Sequence, residues 1–140
     1  MRQYFAYGSN MIVAAMRERC PGAQFIGVAR LPNYRFRIVR SGYASLVWEQ
    51  GAAAYGVLWS ITPRDERALD GYEEVAAGLY RRVFFKVERI DDGEWATALV
   101  YLASDQSPGR PGRGYLAAIL DAAHAHGLPA PALADIAAAG

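Results

Sequence analysis

Tyr4-Phe5-Ala6-Tyr7-Gly8-Ser9-Asn10 is the stretch on which the fold turns. Residues 2–7 are short, aromatic and apolar, and they end at a Gly-Ser-Asn turn, the mark of a strand that stops abruptly. The chain then enters Met11–Arg19, where Ile12, Ala15, Met16 and Arg19 recur at helical spacing. Ser9 or Asn10 is placed to cap that helix, and Cys20-Pro21-Gly22 to stop it. A strand feeding a helix through glycine brings several backbone N–H groups to one spot, with the partial positive charge of a helix start behind them. Such a spot takes a carboxylate, a phosphate or an oxyanion, and Gly8 lets a ligand approach the backbone closely. On these residues alone a plain strand-to-helix connection stays open as the alternative. The Gly-Lys-Ser/Thr ending of a P-loop is missing.

Outward from this stretch, Gln24–Ala29 and Asn33–Arg40 are expected as strands. In the second, Tyr34, Phe36 and Ile38 alternate with Arg35, Arg37 and Val39. Ser41-Gly42 breaks the pattern. Ala44–Glu49 and Ala53–Ser60 suggest a further strand pair joined near Gln50-Gly51. Thr62-Pro63-Arg64-Asp65 predicts a helix start, with Thr62 as N-cap, Pro63 at the first helical position and an acidic third position, and the helix runs to about Tyr72. Tyr80–Ile90 and Glu94–Leu102 form a predicted hairpin around Asp91-Asp92-Gly93. Ser104–Gly114, rich in Gly and Pro and carrying Arg110 and Arg113, is expected to be a mobile loop. Tyr115–His126 is an amphipathic helix closed by Gly127, and the Ala/Pro-rich tail suggests one more short helix. The pattern is α+β: a curled, mostly antiparallel sheet or small β-barrel with flanking helices, as a single domain over residues 1–140.

Composition narrows the function classes. The chain has 140 residues, 53% of them hydrophobic and 21% charged, as a globular protein requires. A net charge of +1 gives no strong field toward nucleic acid or an anionic membrane. A single cysteine, Cys20, excludes an intrachain disulfide and fits a reducing compartment. The start of the chain has neither a long apolar run nor a cleavage site, and no stretch is apolar over the ~18 residues a membrane helix needs. The expectation is a soluble, cytoplasmic protein, monomer or homodimer, with no nucleic-acid or membrane partner.

Leu69-Asp70-Gly71-Tyr72-Glu73-Glu74-Val75 places two adjacent carboxylates just past a helix end, at the edge of an apolar stretch. A carboxylate partly buried there has its pKa raised toward the range useful for proton transfer. Neighbouring residues point different ways, so at most one of the two serves such a role, and two solvated surface charges are the competing account. Tyr80 and Tyr101 fall on strands, where a hydroxyl enters a cavity or simply completes the packing. His124 and His126 stand two apart on a helix, share no face and make a poor metal pair, so no metal site is expected. Cys20 precedes a proline and is read as a structural thiol rather than a nucleophile. Arg30, Arg35, Arg37 and Arg40 belong to a solvated strand face rather than an RNA-binding one.

Taken in chain order, these segments resemble the γ-glutamyl cyclotransferase family. Tyr4-Phe5-Ala6-Tyr7-Gly8-Ser9-Asn10 is similar to its opening strand and substrate loop, and Val28-Ala29-Arg30-Leu31-Pro32-Asn33-Tyr34 to its next strand region. Tyr55-Gly56-Val57-Leu58-Trp59 is similar to a core strand. Leu69-Asp70, Glu73, Val75, Gly78 and Tyr80 resemble the segment carrying the catalytic glutamate; Tyr101-Leu102 and Gly127-Leu128-Pro129 also fit. The resemblance implies a cofactor-independent enzyme. The α-amine of a small γ-glutamyl substrate attacks its own γ-carbonyl, giving 5-oxoproline and a free amine or amino acid. It implies Glu73 as acid/base and Tyr7, Gly8, Ser9, Asn10, Tyr80 and Tyr101 as substrate contacts. Glu74 stands where the family usually has glycine. A non-catalytic binding module on the same fold, or a cyclotransferase for a γ-glutamylamine or another γ-glutamylated metabolite, is the alternative. The Ser104–Gly114 loop is expected at the cavity mouth, where Arg110 and Arg113 either meet a carboxylate on an amino-acid leaving group or stay solvated and unpaired.

Overall fold

A computed structural model describes residues 1–140 as a closed five-stranded barrel with four α-helices outside it. The strands are β1 (Arg2–Ala6), β2 (Gln24–Ile38), β3 (Ala44–Ile61), β4 (Tyr80–Arg89) and β5 (Trp95–Ala103), and the barrel order is β1-β3-β2-β4-β5. Every ladder is antiparallel except β1 with β5, where Tyr4 faces Leu99 in a parallel pair that closes the barrel and removes its open edges. The helices are α1 (Val13–Arg19), α2 (Pro63–Tyr72), α3 (Tyr115–Ala125) and α4 (Ala130–Ala138). None is long and apolar enough to cross a membrane.

Where two strands are expected on each side of Pro32 and of Gln50-Gly51, the chain builds one long hairpin. β2 and β3 pair from Gln24↔Ser60 to Ile38↔Ala44, and the reversal is at residues 39–43, not at Gln50-Gly51. The apparent breaks are bulges. At Pro32/Tyr34 the register slips, Asn33 takes φ 65°, and its side-chain oxygen accepts the Gly51 N–H at 3.0 Å. Gly51 itself sits at φ 84°, so two punctuating residues face each other and bend the ladder without ending it.

The first helix also differs from expectation. Gly8 leads into a 3₁₀ turn over Ser9–Met11, and α1 begins only at Val13, with Ile12 as an uncapped N-cap. Neither Ser9 nor Asn10 caps α1; both side chains accept from Arg19 instead. The capping box at Thr62 forms as predicted: the Thr62 hydroxyl accepts from Asp65 N–H, and the Asp65 carboxylate accepts from Thr62 N–H, both at 3.1 Å.

The core packs both faces of the barrel wall through Phe5, Leu46, Val57, Leu58, Leu99 and their neighbours, and includes Met16, Leu69 and Ile119 of the helices. Gly56 is essential to one contact: a Cβ there would lie 2.3 Å from the Ala6 carbonyl oxygen, so glycine lets β1 approach β3. Ser104–Gly114 has no regular element but is tied down. Gly109 donates to Ile38 O, Pro108 bridges Val39, and a Cβ on Gly109 would meet Val39 O at 2.0 Å.

Candidate active site

Six segments meet over one end of the barrel and enclose a cavity of about 260 Å³. The turn after β1 brings Tyr7, Gly8, Ser9 and Asn10; β4 brings Tyr80; β5 brings Tyr101; and the end of α2 brings Glu73 and Glu74. All seven residues expected at the site therefore line one cavity, and Tyr4, Tyr43, Tyr72 and Tyr115 complete an aromatic wall.

Glu73 is held there by its helix. Leu69 is fully buried, the capping box fixes the start of α2, and Asp70 accepts from the Tyr101 hydroxyl at 2.6 Å and from Arg82 at 2.7 Å. Glu66, one turn earlier, pairs with Arg82 and Arg2. Glu73 is the C-cap, its N–H donating to Leu69 O at 2.8 Å. Its carboxyl, by contrast, has no hydrogen-bond or ion-pair partner within the protein. Burial among the tyrosines pushes it up to about 7, and the Arg19 guanidinium nearby partly opposes the shift. The same negative charge helps raise the hydroxyls of Tyr4, Tyr7, Tyr80 and Tyr115, after the larger effect of their own burial.

Beyond Glu73 the chain makes a Schellman turn: Glu74 N–H donates to Gly71 O and Val75 N–H to Asp70 O, both at 3.1 Å. That turn needs a left-handed residue at position 74, and Glu74 occupies it at φ 51°. Glycine is the usual residue there because it has no Cβ to strain.

The loop opposite presents backbone donors. Met11 and Ile12 N–H close the 3₁₀ turn on Gly8 O and Ser9 O, while the N–H groups of Gly8, Ser9 and Asn10 have no protein acceptor. They stand at a tight turn rather than at an α-helix start, so their pull on an anion is that of individual amide dipoles.

The side chains expected as substrate contacts are more occupied than the sequence suggests. The Asn10 amide donates to Tyr4 Oη at 2.9 Å and accepts from Arg19. The Tyr80 hydroxyl donates to Ala44 O at 2.6 Å, and the Tyr7 hydroxyl to Tyr101 O at 2.5 Å. With the Tyr101 hydroxyl on Asp70, these residues present ring faces and edges to the cavity and spend their hydroxyls on its frame.

Sequence reasoning missed Arg19, Tyr43, Tyr72 and Tyr115 as site residues. No local pattern marks Arg19, which reaches the loop from the far end of α1; nine tyrosines against five phenylalanines were the one compositional hint of a polar aromatic wall. One expectation is overturned. No residue of Ser104–Gly114 lines the cavity; Gly109 is held against Ile38 and Val39, and Arg110 and Arg113 are exposed and unpaired. Cys20 is inert as expected: it is buried beside Asp65 O, and burial pushes its thiol up to about 11. His126 is stacked on Phe25 with Nε2 2.6 Å from Met11 O.

Comparison with known proteins adds a second line of findings. Residues 53–134 match the AIG2-like family. The chain is 32% identical over 136 residues to human γ-glutamylcyclotransferase, covering 90% of this chain and 72% of the relative. It is 29% identical over 136 residues to the mouse protein of the same name, with the same coverage. A solved structure named γ-glutamyl cyclotransferase superposes with a TM-score of 0.89 at 27% identity, over 98% of this chain and 86% of the other.

Proposed function

We propose a reaction for this cavity because the chain belongs to the AIG2-like, γ-glutamylcyclotransferase family. It is a γ-glutamyl cyclotransferase, and Glu73 moves the proton. The observation that carries the assignment of Glu73 is its unpartnered carboxyl, raised to about 7, in one cavity with three unpaired N–H groups.

The substrate's γ-glutamyl end enters first. Its α-carboxylate or its developing oxyanion takes the N–H groups of Gly8, Ser9 and Asn10, which need no reorganisation to receive negative charge. The aromatic wall excludes water and holds the chain of the glutamyl group bent, with its α-nitrogen against its own γ-carbonyl. Because the attack is intramolecular, orientation alone supplies several kcal/mol of the barrier. Glu73 takes a proton from the α-ammonium as the new C–N bond forms. The tetrahedral carbon then expels the original amide nitrogen, Glu73 returns that proton to it, and the second proton of the new ring nitrogen passes to the departing amine. The products are 5-oxoproline and the amine as its ammonium, with no net proton taken up or released. A carboxyl with a pKa near neutral suits both halves of that exchange, since it neither holds the proton too weakly to accept it nor too tightly to return it.

The test is incubation with γ-glutamyl dipeptides, γ-glutamylamines and glutathione, reading 5-oxoproline by mass spectrometry. Release from at least one substrate by the native chain, lost in Glu73→Gln, is the expected result. Binding of these compounds without 5-oxoproline release would instead make the chain a binding module.

A further inference from the structure

The cavity has a direction. At its floor Asn10 and Tyr7 are 3% and 7% exposed; at its mouth Tyr43 and Tyr72 are 52% and 46% exposed. Glu74 is exposed on the same rim, lines the cavity, and makes no ion pair or side-chain hydrogen bond. Glu73 and Glu74 are the only charged residues lining the cavity. Arg19 stacks on Tyr72, is engaged by Ser9 and Asn10, and partly offsets Glu73. No cation lines the cavity, and Glu74 has no ion-pair partner. Arg110 and Arg113, the residues that would have received a leaving-group carboxylate, do not line the cavity.

We propose that Glu74 sets the leaving-group preference of this site, disfavouring amines that carry a carboxylate and favouring neutral or cationic ones. The inference rests on the proposed cyclotransferase reaction. With the γ-glutamyl end seated on the 7–10 loop, the departing amine lies toward the mouth, within the field of a carboxylate that has no ion-pair partner. A carboxylate on that amine meets like charge with nothing to neutralise it; an ammonium meets a partner. Discrimination of this kind works through repulsion of the wrong substrate as much as through attraction of the right one.

Two substrates that differ only in this charge test it: γ-glutamyl-alanine and γ-glutamyl-alaninamide, with the γ-glutamyl monoamide of diaminobutane as the cationic case. The native chain is expected to favour the alaninamide over the alanine compound by about tenfold in kcat/KM at low salt, and the diamine compound at least as strongly. Added salt should shrink the ratio. Glu74→Gln keeps the shape and the backbone demand of the position and should bring the ratio close to one; Glu74→Lys should reverse it. Equal kcat/KM on the two alanine compounds, or a preference that survives both Glu74→Gln and high salt, overturns the inference while 5-oxoproline release still upholds the reaction. Absence of 5-oxoproline from all three removes the reaction, and the inference with it.

Discussion

The Arg19 guanidinium lies 3.8 Å from the centroid of the Tyr72 ring while its Nη1 reaches Ser9 Oγ at 3.2 Å and the Asn10 amide oxygen. One side chain thus ties the 7–10 loop to the residue next to Glu73, although β2 and β3 separate the two in sequence. It also places positive charge near Glu73. Arg19→Ala should lower kcat/KM by roughly 10- to 100-fold, as small misplacements of a positioned group do. With the cation gone, Glu73 holds its proton to higher pH, so the acid limb of the kcat/KM profile should move to higher pH. Arg19→Lys should leave that limb near its native place and still lose rate, because an ammonium has no planar face to stack on Tyr72. An unchanged pH profile in Arg19→Ala would leave Arg19 with a purely structural part.

Glu73→Gln should reduce turnover on the order of 10²–10⁴-fold with the fold intact. It should also stabilise the protein. The native pKa is raised from 4.5 to about 7, so between those values the folded state keeps a proton that the unfolded state has released. Stability therefore falls as pH rises through that window and stays lower above it. The amide has no charge to bury, so the variant should exceed the native chain by roughly 1–3 kcal/mol at about pH 8 and match it at about pH 4. Chemical denaturation at the two pH values measures this. Equal stability at about pH 8 would mean that Glu73 is solvated there.

Gly8 and Gly56 should separate function from fold. A Cβ on Gly8 would sit in ordinary contact, 3.5 Å from Ala44 Cβ and 3.9 Å from Tyr115 Oη. Gly8→Ala should keep the melting temperature within a few degrees and raise KM, since the new methyl faces residues that line the cavity. Gly56→Ala drives its methyl into Ala6 O and should cost several kcal/mol or prevent folding. Equal losses of stability in both would contradict this assignment.

Glu74→Gly should stabilise the chain by up to about 1 kcal/mol, because the left-handed residue of the Schellman turn loses its Cβ penalty against a smaller gain in unfolded-state entropy. Thermal unfolding reads the difference directly. A loss of stability would show that the Glu74 side chain makes a favourable contact that outweighs the strain.

The double variant Arg110→Ala, Arg113→Ala should leave kcat/KM within about twofold on dipeptide and amine substrates alike, as exposed unpaired charges away from the cavity predict. A selective loss on the dipeptide would return that loop to the leaving-group site.

The sequence by itself determined the elements whose signals are local. Thr62-Pro63-x-Asp65 fixes a helix start because the cap needs only residues three apart, and Asp91-Asp92-Gly93 fixes a hairpin because the turn needs only its own φ values. Tyr7-Gly8-Ser9-Asn10 and Glu73 were legible as candidates for the same reason, through turn chemistry and position past a helix end. What the tertiary structure decided depends on contacts between distant segments. Whether Asn33 and Gly51 end a strand or bend one was settled by their facing each other across a ladder. The 104–114 loop was assigned to the cavity for its composition, but none of its residues lines it, and Gly109 is held against Val39 instead. Arg19 entered the site from the end of a helix with no motif to announce it. Glu73 and Glu74 are adjacent and chemically identical in sequence; only packing distinguishes them, by drawing one carboxyl in among tyrosines and leaving the other on the rim. Local preference sets which segments form, while burial and charge across the chain set what each residue does, because desolvation is a property of the assembled surroundings and not of the residue.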